Sequence, residues 1–326
     1  METELFGANM VDTMANTGKA LITSPVVQSV ISSLITTVFV RRGENTKLVA
    51  ALKTKKFENV IEELLKTGGL SYVELYKCKN FLEIAKRPDE MMAVRCMDNK
   101  ESVQDKCNEQ GEFSFDWLMR FFDAVGNISN EDLQNLWGKV LAGEIVRPNT
   151  CSLRTLDMIR NMSPGEAKIF SVLSRYVMQS GNTYYIDSAG FFCAEDGHQK
   201  CRAYIHNKGL SYEEHIVPLL EAGAFTQDHD LALYINHETS LEIYNDKICG
   251  IIMYHADEPV LFRRDAYMLT ASGRELFSVI RQSDDFEADE DYALLCLKDM
   301  KEMNPAFYVG AFKVSEGGSN VDLLEE

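Results

Sequence analysis

The sequence predicts an α+β protein that is mostly α, in which helical N-terminal and central regions precede a smaller winged-helix-like α/β C-terminal unit. Three observations predict it. Apolar residues recur at helical spacing through the first half, helix-capping signals crowd the centre, and short aromatic-rich runs broken by glycine follow Ser180. The 326 residues are 45% hydrophobic and 25% charged, enough apolar material for sizeable cores over one to three domains.

The first element is the segment "LITSPVVQSVISSLITTVFVRR", Leu21 to Arg42, which carries no formal charge until its two arginines. As a helix over 25–40 it gathers Val27, Val30, Ile31, Leu34, Ile35 and Val38 on one side. Gln28, Ser29, Ser32, Ser33, Thr36 and Thr37 gather on the other. Its length suits the roughly 20 residues of a bilayer span. A lone span would nevertheless turn hydroxyls to lipid, so a core or oligomer-forming helix is the expectation, with membrane contact through 21–42 and a strand as alternatives.

Residues 45 to 108 place Leu48, Leu52, Phe57, Ile61 and Leu65 at helical spacing among charges of both signs. The polar passage 100–111 reads as a linker, closing a helical N-terminal region over 1–110. In the central region, 111–180, Ser129 is read as the N-cap of a helix that stops at Gly143, with Asp132 at its third position. Ser152 caps the next helix. Ser163, Pro164 and Glu166 then spell a capping box with proline where its missing N–H costs nothing. Leu133, Leu136, Trp137, Val140 and Leu141 form an apolar stripe, with Trp137 as a core or interface anchor.

Over 181–283 the reading is an α/β unit. "GNTYYIDSAGFFCAEDGHQKCRAYIHNKGL" suggests strands and turns, Ser211 with Glu214 caps a helix ending at Gly223, "LALYINHETSLEIYNDKICGIIMY" reads as two or three strands, and Thr270 starts another helix. Helix, strands and helix in that order are winged-helix-like, though no basic recognition helix is visible. From Asp284 to Glu326, 12 acids stand against three lysines, a net of -9 within a total of -17, so 284–326 reads as an acidic tail. That charge discourages non-specific binding to nucleic acid. Eight scattered cysteines suit reduced thiols in the cytoplasm, and the acidic start "METELFGANM" argues against a secretory signal.

The stretch from Phe115 to Phe170, with "LQNLWGKVLAGE" followed by "SLRTLDMIRNMSPGEA" and preceded by an aromatic "DW…FF" helix, resembles the signature of an uncharacterised bacterial family, a domain of unknown function. The "LWGKVLAGE" helix is also similar to one in the Abi-alpha family, associated with abortive infection against phage. What the resemblance implies is a defence effector with a possible phage-protein trigger. No catalytic residue is carried over from it.

No nucleotide-binding loop, nucleophile elbow or H-E-x-x-H motif occurs. The best chemical constellation is "CAEDGHQKCRAYIH", in which Cys193, His198, Cys201 and His206 stand as candidate zinc ligands, although the usual C-x2-C knuckle is missing. If "CRAYIH" is a strand, Cys201 and His206 point to opposite faces and a turn is needed. His215, His229, His237 or His255 are further candidates for a ligand or general base. The neighbouring acids Glu195 with Asp196 and Glu213 with Glu214 diverge on a helix and read as solvation or caps.

Two functions stay open. One is a zinc-containing nuclease toxin acting on RNA, favoured by seven basic residues against five acids over 151–210. The other is a non-enzymatic effector that perturbs a membrane or binds protein through helix 25–40. Either is expected to form homo-oligomers.

Overall fold

Side-chain caps set the starts of the helices that begin at Glu131, Leu153, Pro164, Ala271 and Glu290. The structure is a computed structural model; it describes residues 72–85, 87, 114–191, 199–226, 230–236, 240–254, 258–283, 285–303, 307–314 and 323–324. The segment 25–40 and the linker 100–111 lie outside the described residues. The chain divides into two compact units, Met1–Arg160 and Asn161–Glu326.

In the first unit, α1 (Tyr72–Ala85), α2 (Phe115–Val125), α3 (Glu131–Val146) and α4 (Leu153–Asn161) follow one another, with α1 packed on α2 and α3. Helix α2 turns Trp117, Leu118, Phe121, Ala124 and Val125 inward and leaves Asp116 and Arg120 in solvent. Its aromatics build the core: Trp117 stacks on Phe121 at 5.1 Å, and Phe121 meets the edge of Trp137 at 5.4 Å. The Trp117 indole N–H donates to the Cys151 carbonyl at 2.8 Å. Trp137 is fully buried, the core anchor that its apolar stripe predicts.

Two features of α3 differ from the sequence reading. Asn130, not Ser129, is the N-cap, its side chain accepting from the Leu133 N–H at 3.1 Å. Both are good capping types, and the residue immediately before the first turn wins. Gly143 does not stop the helix, which runs on to Val146. The stop comes from the buried Glu144, whose carboxylate accepts the backbone N–H groups of Asn149, Thr150 and Cys151 at 2.7, 3.0 and 3.2 Å. Asn149 makes the reversal with φ 69°.

The second unit begins with α5 (Pro164–Leu173). Its capping box is complete, with the Glu166 N–H donating to Ser163 at 3.2 Å and the Ser163 N–H to Glu166 at 2.6 Å. A 3₁₀ turn, β1 (Met178–Ser180), β2 (Thr183–Asp187) and α6 (Gln199–Asn207) follow. A π-helical turn capped by Ser211 leads into α7 (Val217–Glu221), and the chain reverses at Gly223 with φ 76°. Next come β3 (Asp230–Ile235), β4 (Ser240–Asn245), β5 (Ile248–Tyr254) and β6 (Val260–Met268). Last are α8 (Ala271–Arg281), capped by Thr270, α9 (Glu290–Met303) and β7 (Phe307–Lys313).

The seven strands form one antiparallel sheet in the order β3-β6-β2-β1-β4-β5-β7, so the fold is α+β. Ile243, Gly250 and Ala311 share a row of one face across β4, β5 and β7, and α9 lies over it. Gly250 is where the helix comes closest: a Cβ there would overlap the Leu297 side chain.

Two further expectations are corrected here. "CRAYIH" is helical, not a strand, and its inward positions Cys201 and Ile205 are four apart, the period of a helix face. The acidic stretch 284–326 is no simple tail, because α9 and β7 supply Tyr292, Cys296, Met300, Val309 and Ala311 to the core. The acids among Asp285, Glu287, Asp291 and Glu302 occupy exposed positions.

Removing the Glu144 carboxylate would strand three backbone donors at the end of α3. Glu144→Ala is expected to cost about 2–4 kcal/mol in urea unfolding, with Glu144→Gln, which keeps one acceptor oxygen, costing about half as much.

Candidate functional site

Charged residues in the middle of strands are the features of the second unit most in need of explanation. In "VLFRRDAYM", Phe262, Arg264 and Ala266 alternate onto one face of β6 and all are buried, so Arg264 is a cation aimed into the core. It meets the end of β2 and the middle of α9. Its Nε donates to Asp187 at 2.6 Å and its Nη2 to Asp299 at 2.5 Å. Asp187 is fully buried, its backbone carbonyl taking the Tyr292 hydroxyl at 2.8 Å. Burial alone would push the Arg264 guanidinium down, but the Asp187 carboxylate, seconded by Asp299, more than reverses this and holds it above its ordinary value.

Two thiols complete this interior. Cys201 of α6 and Cys296 of α9 are both buried and lie close to each other. Burial pushes the Cys296 thiol well up, and the Cys201 contact and the Asp187 charge add to that, which keeps it a weakly nucleophilic neutral thiol. Burial likewise raises Tyr185 and Tyr292 well above the usual phenol range. The Tyr185 hydroxyl is buried without a hydrogen-bond partner.

A smaller hub surrounds Asp289. Its carboxylate caps α9 through the Tyr292 N–H at 2.9 Å, accepts the Tyr204 hydroxyl at 2.8 Å and lies 3.8 Å from the Lys208 ammonium. Tyr176 nearby is pushed up to about 12, by burial first and then by Asp289. Hub and clamp together tie α6, α9 and the strands to one another. Their geometry is that of a structural core.

Of the predicted zinc set, Cys193 and His198 lie outside the described residues. Cys201 and His206 are both on α6 but do not converge: Cys201 faces the core against Cys296, and His206 is exposed. Among the described residues no three His, Cys, Asp or Glu side chains are placed to hold a metal ion. His215 accepts the Ser211 N–H on its Nδ1 at 3.2 Å, and so reinforces the cap that Ser211 makes. His229, His237 and His255, like Glu195 and Asp196, are outside the described residues. Glu214 donates its N–H to Ser211 as a capping residue.

The residues missed by sequence reasoning are Asp187, Arg264 and Asp299. A signal existed for one of them, the arginine at a core-facing position of an alternating strand. Among the described residues no helix is long and apolar enough to cross a membrane.

Fold and interior therefore define an α+β protein whose second unit is organised by a buried ionic clamp. Residues 91–293, more than half of the chain, match the family described as Protein of unknown function (DUF2806), and the protein belongs to that family. No curated protein and no solved structure matches the chain.

Breaking the clamp from one side is the informative test of its role. Arg264→Ala would leave two carboxylates buried without their cation, and a loss of about 3–5 kcal/mol is expected in chemical denaturation. The simultaneous change of Arg264, Asp187 and Asp299 to apolar residues of similar volume is expected to recover most of it.

Proposed function

We propose that this chain is a non-enzymatic interaction protein that acts in phage defence through protein contacts of its second unit. The observation that carries the reading is the unequal treatment of the two sheet faces. The chemically capable groups Asp187, Arg264, Asp299, Cys201 and Cys296 are buried and engaged with one another under α9. On the other face, strand register aligns Tyr244 with Cys249 and Phe312, and Met253 with Tyr308. Tyr244 and Met253 are exposed, while Cys249, Ile251, Tyr308 and Phe312 are only half-buried, an apolar surface suited to a protein partner.

The defence setting rests on the likeness of "LQNLWGKVLAGE" to the Abi-alpha helix. The winged-helix-like order of α7, β3 to β6 and α8 belongs to the same reading, as an interaction module in the cytoplasm. In phage-challenged cells, Tyr244→Lys with Met253→Lys is expected to abolish protection while far-ultraviolet circular dichroism stays unchanged. RNA and DNA should remain intact when growth stops. Nucleic acid degradation preceding arrest would overturn the reading.

One observation favours a second reading, action on RNA. In a strongly acidic chain, α6 and the residue after it turn Lys200, Arg202, His206 and Lys208 outward. Zinc held by Cys193, His198, Cys201 and His206 would require α6 to unwind so that Cys201 and His206 converge, and reduced purified protein is then expected to carry nearly one zinc per chain by elemental analysis. Cys201→Ser should lose the metal, and Cys249→Ser, on the opposite sheet face, should keep it. Protein free of transition metal ends the zinc reading.

A further inference from the structure

The two ends of the sheet are finished differently. At β7 the chain returns to its own outer edge at Ala311, whose carbonyl accepts the Leu323 N–H at 2.8 Å. At the other end, β3 pairs with β6 along its whole length, and no described strand lies beyond it. An edge strand is ordinarily guarded by lysine, proline or a bulge, because its unpaired N–H and C=O groups invite another strand. "DLALYI" has no lysine, arginine or proline, and its register with β6 runs unbroken from Asp230 with Asp265 to Ile235 with Val260.

The apolar surface at this end is also concentrated where a strand would land. Tyr234 is 77% exposed and Leu261, its direct partner on β6, is 45% exposed. The two form a cross-strand pair left open to water on the outermost ladder.

We propose that β3 is the interface of a homodimer, in which the β3 strands of two copies pair antiparallel and join two seven-stranded sheets into one. The occupant is a second copy because the strand is compatible with itself. Facing residues in an antiparallel pair share a face of the sheet, so a symmetric pairing is centred on a residue. Centred on Ala232, it sets Asp230 opposite the partner's Tyr234, and centred on Leu233, opposite the partner's Asn236. In neither register do the strand's only charges meet, and the pairing brings an apolar strand against an apolar strand. This inference concerns assembly alone and stands whether or not the chain acts against phage.

The test uses the full chain. Light scattering over a wide concentration range should show a mass twice 36.9 kDa. Hydrogen exchange should show protection of amides 230–235 that falls when the protein is diluted. Tyr234→Lys with Leu261→Lys should weaken association about tenfold or more and release those amides, while Tyr234→Phe should behave as wild type. Both lysine positions are exposed, so thermal unfolding of the diluted double variant should match wild type. A strict monomer at every concentration overturns the proposal. So does a dimer that the lysine variant leaves intact, with the outward-facing amides of 230–235, those not bonded to β6, exchanging freely, because another face would then hold it together. Protection of 230–235 gained only on adding an unrelated extended peptide also overturns it, since the edge would then serve a different occupant.

Discussion

The second unit depends on one arginine. Arg264 is buried at the middle of β6, and a cation there is tolerable only if carboxylates are brought to it with hydrogen bonds in place. Asp187 comes from the end of β2 and Asp299 from α9, so the requirement to neutralise one charge fixes how a strand and a helix lie on a third element. A buried ion pair is poor evidence of net stabilisation, since an apolar trio can do as well. What it supplies is intolerance of misplacement, because a slip of β2 or a rotation of α9 would leave charge without a partner. The side chains of Cys201, Cys296, Tyr185 and Tyr292 fill the space around it.

That constraint also decides which face of the sheet is available. With α9 committed to the clamp, and to Gly250 by close approach, one face is closed. The other keeps Tyr244 and Met253 in solvent. The charged clamp and the two thiols are on the closed side, and the exposed Tyr244 and Met253 on the open side.

The stretch from Phe115 to Phe170 has a physical meaning in the same terms. In "LQNLWGKVLAGE" the large apolar side chains Leu136, Trp137, Val140 and Leu141 are buried, and the final Glu144, also buried, gathers the next loop by three backbone N–H groups. In "SLRTLDMIRNMSPGEA" Ser152 receives the Thr155 N–H at 3.3 Å, and Ser163 with Glu166 form the capping box. These residues thus set helix ends and a packed aromatic core.

Interactions spanning three or four residues were legible in the sequence. The caps at Ser163, Ser211 and Thr270, the reversal at Gly223, the burial of Trp137 and the strand character of 231–254, read as two or three strands and found as three, follow from local spacing. Where two good local candidates competed, as at Ser129 and Asn130, spacing alone chose wrongly. The clamp joins residues 77 and 35 positions apart, and the thiol pair joins two helices from distant parts of the chain. Composition marked 284–326 as acidic surface, yet only the sheet, by leaving a place beside β5 and a face for α9, makes that stretch part of the core. Local hydrogen bonding and periodicity are written in the order of the residues, whereas the partner of a buried charge is decided by which distant elements the tertiary structure brings within reach.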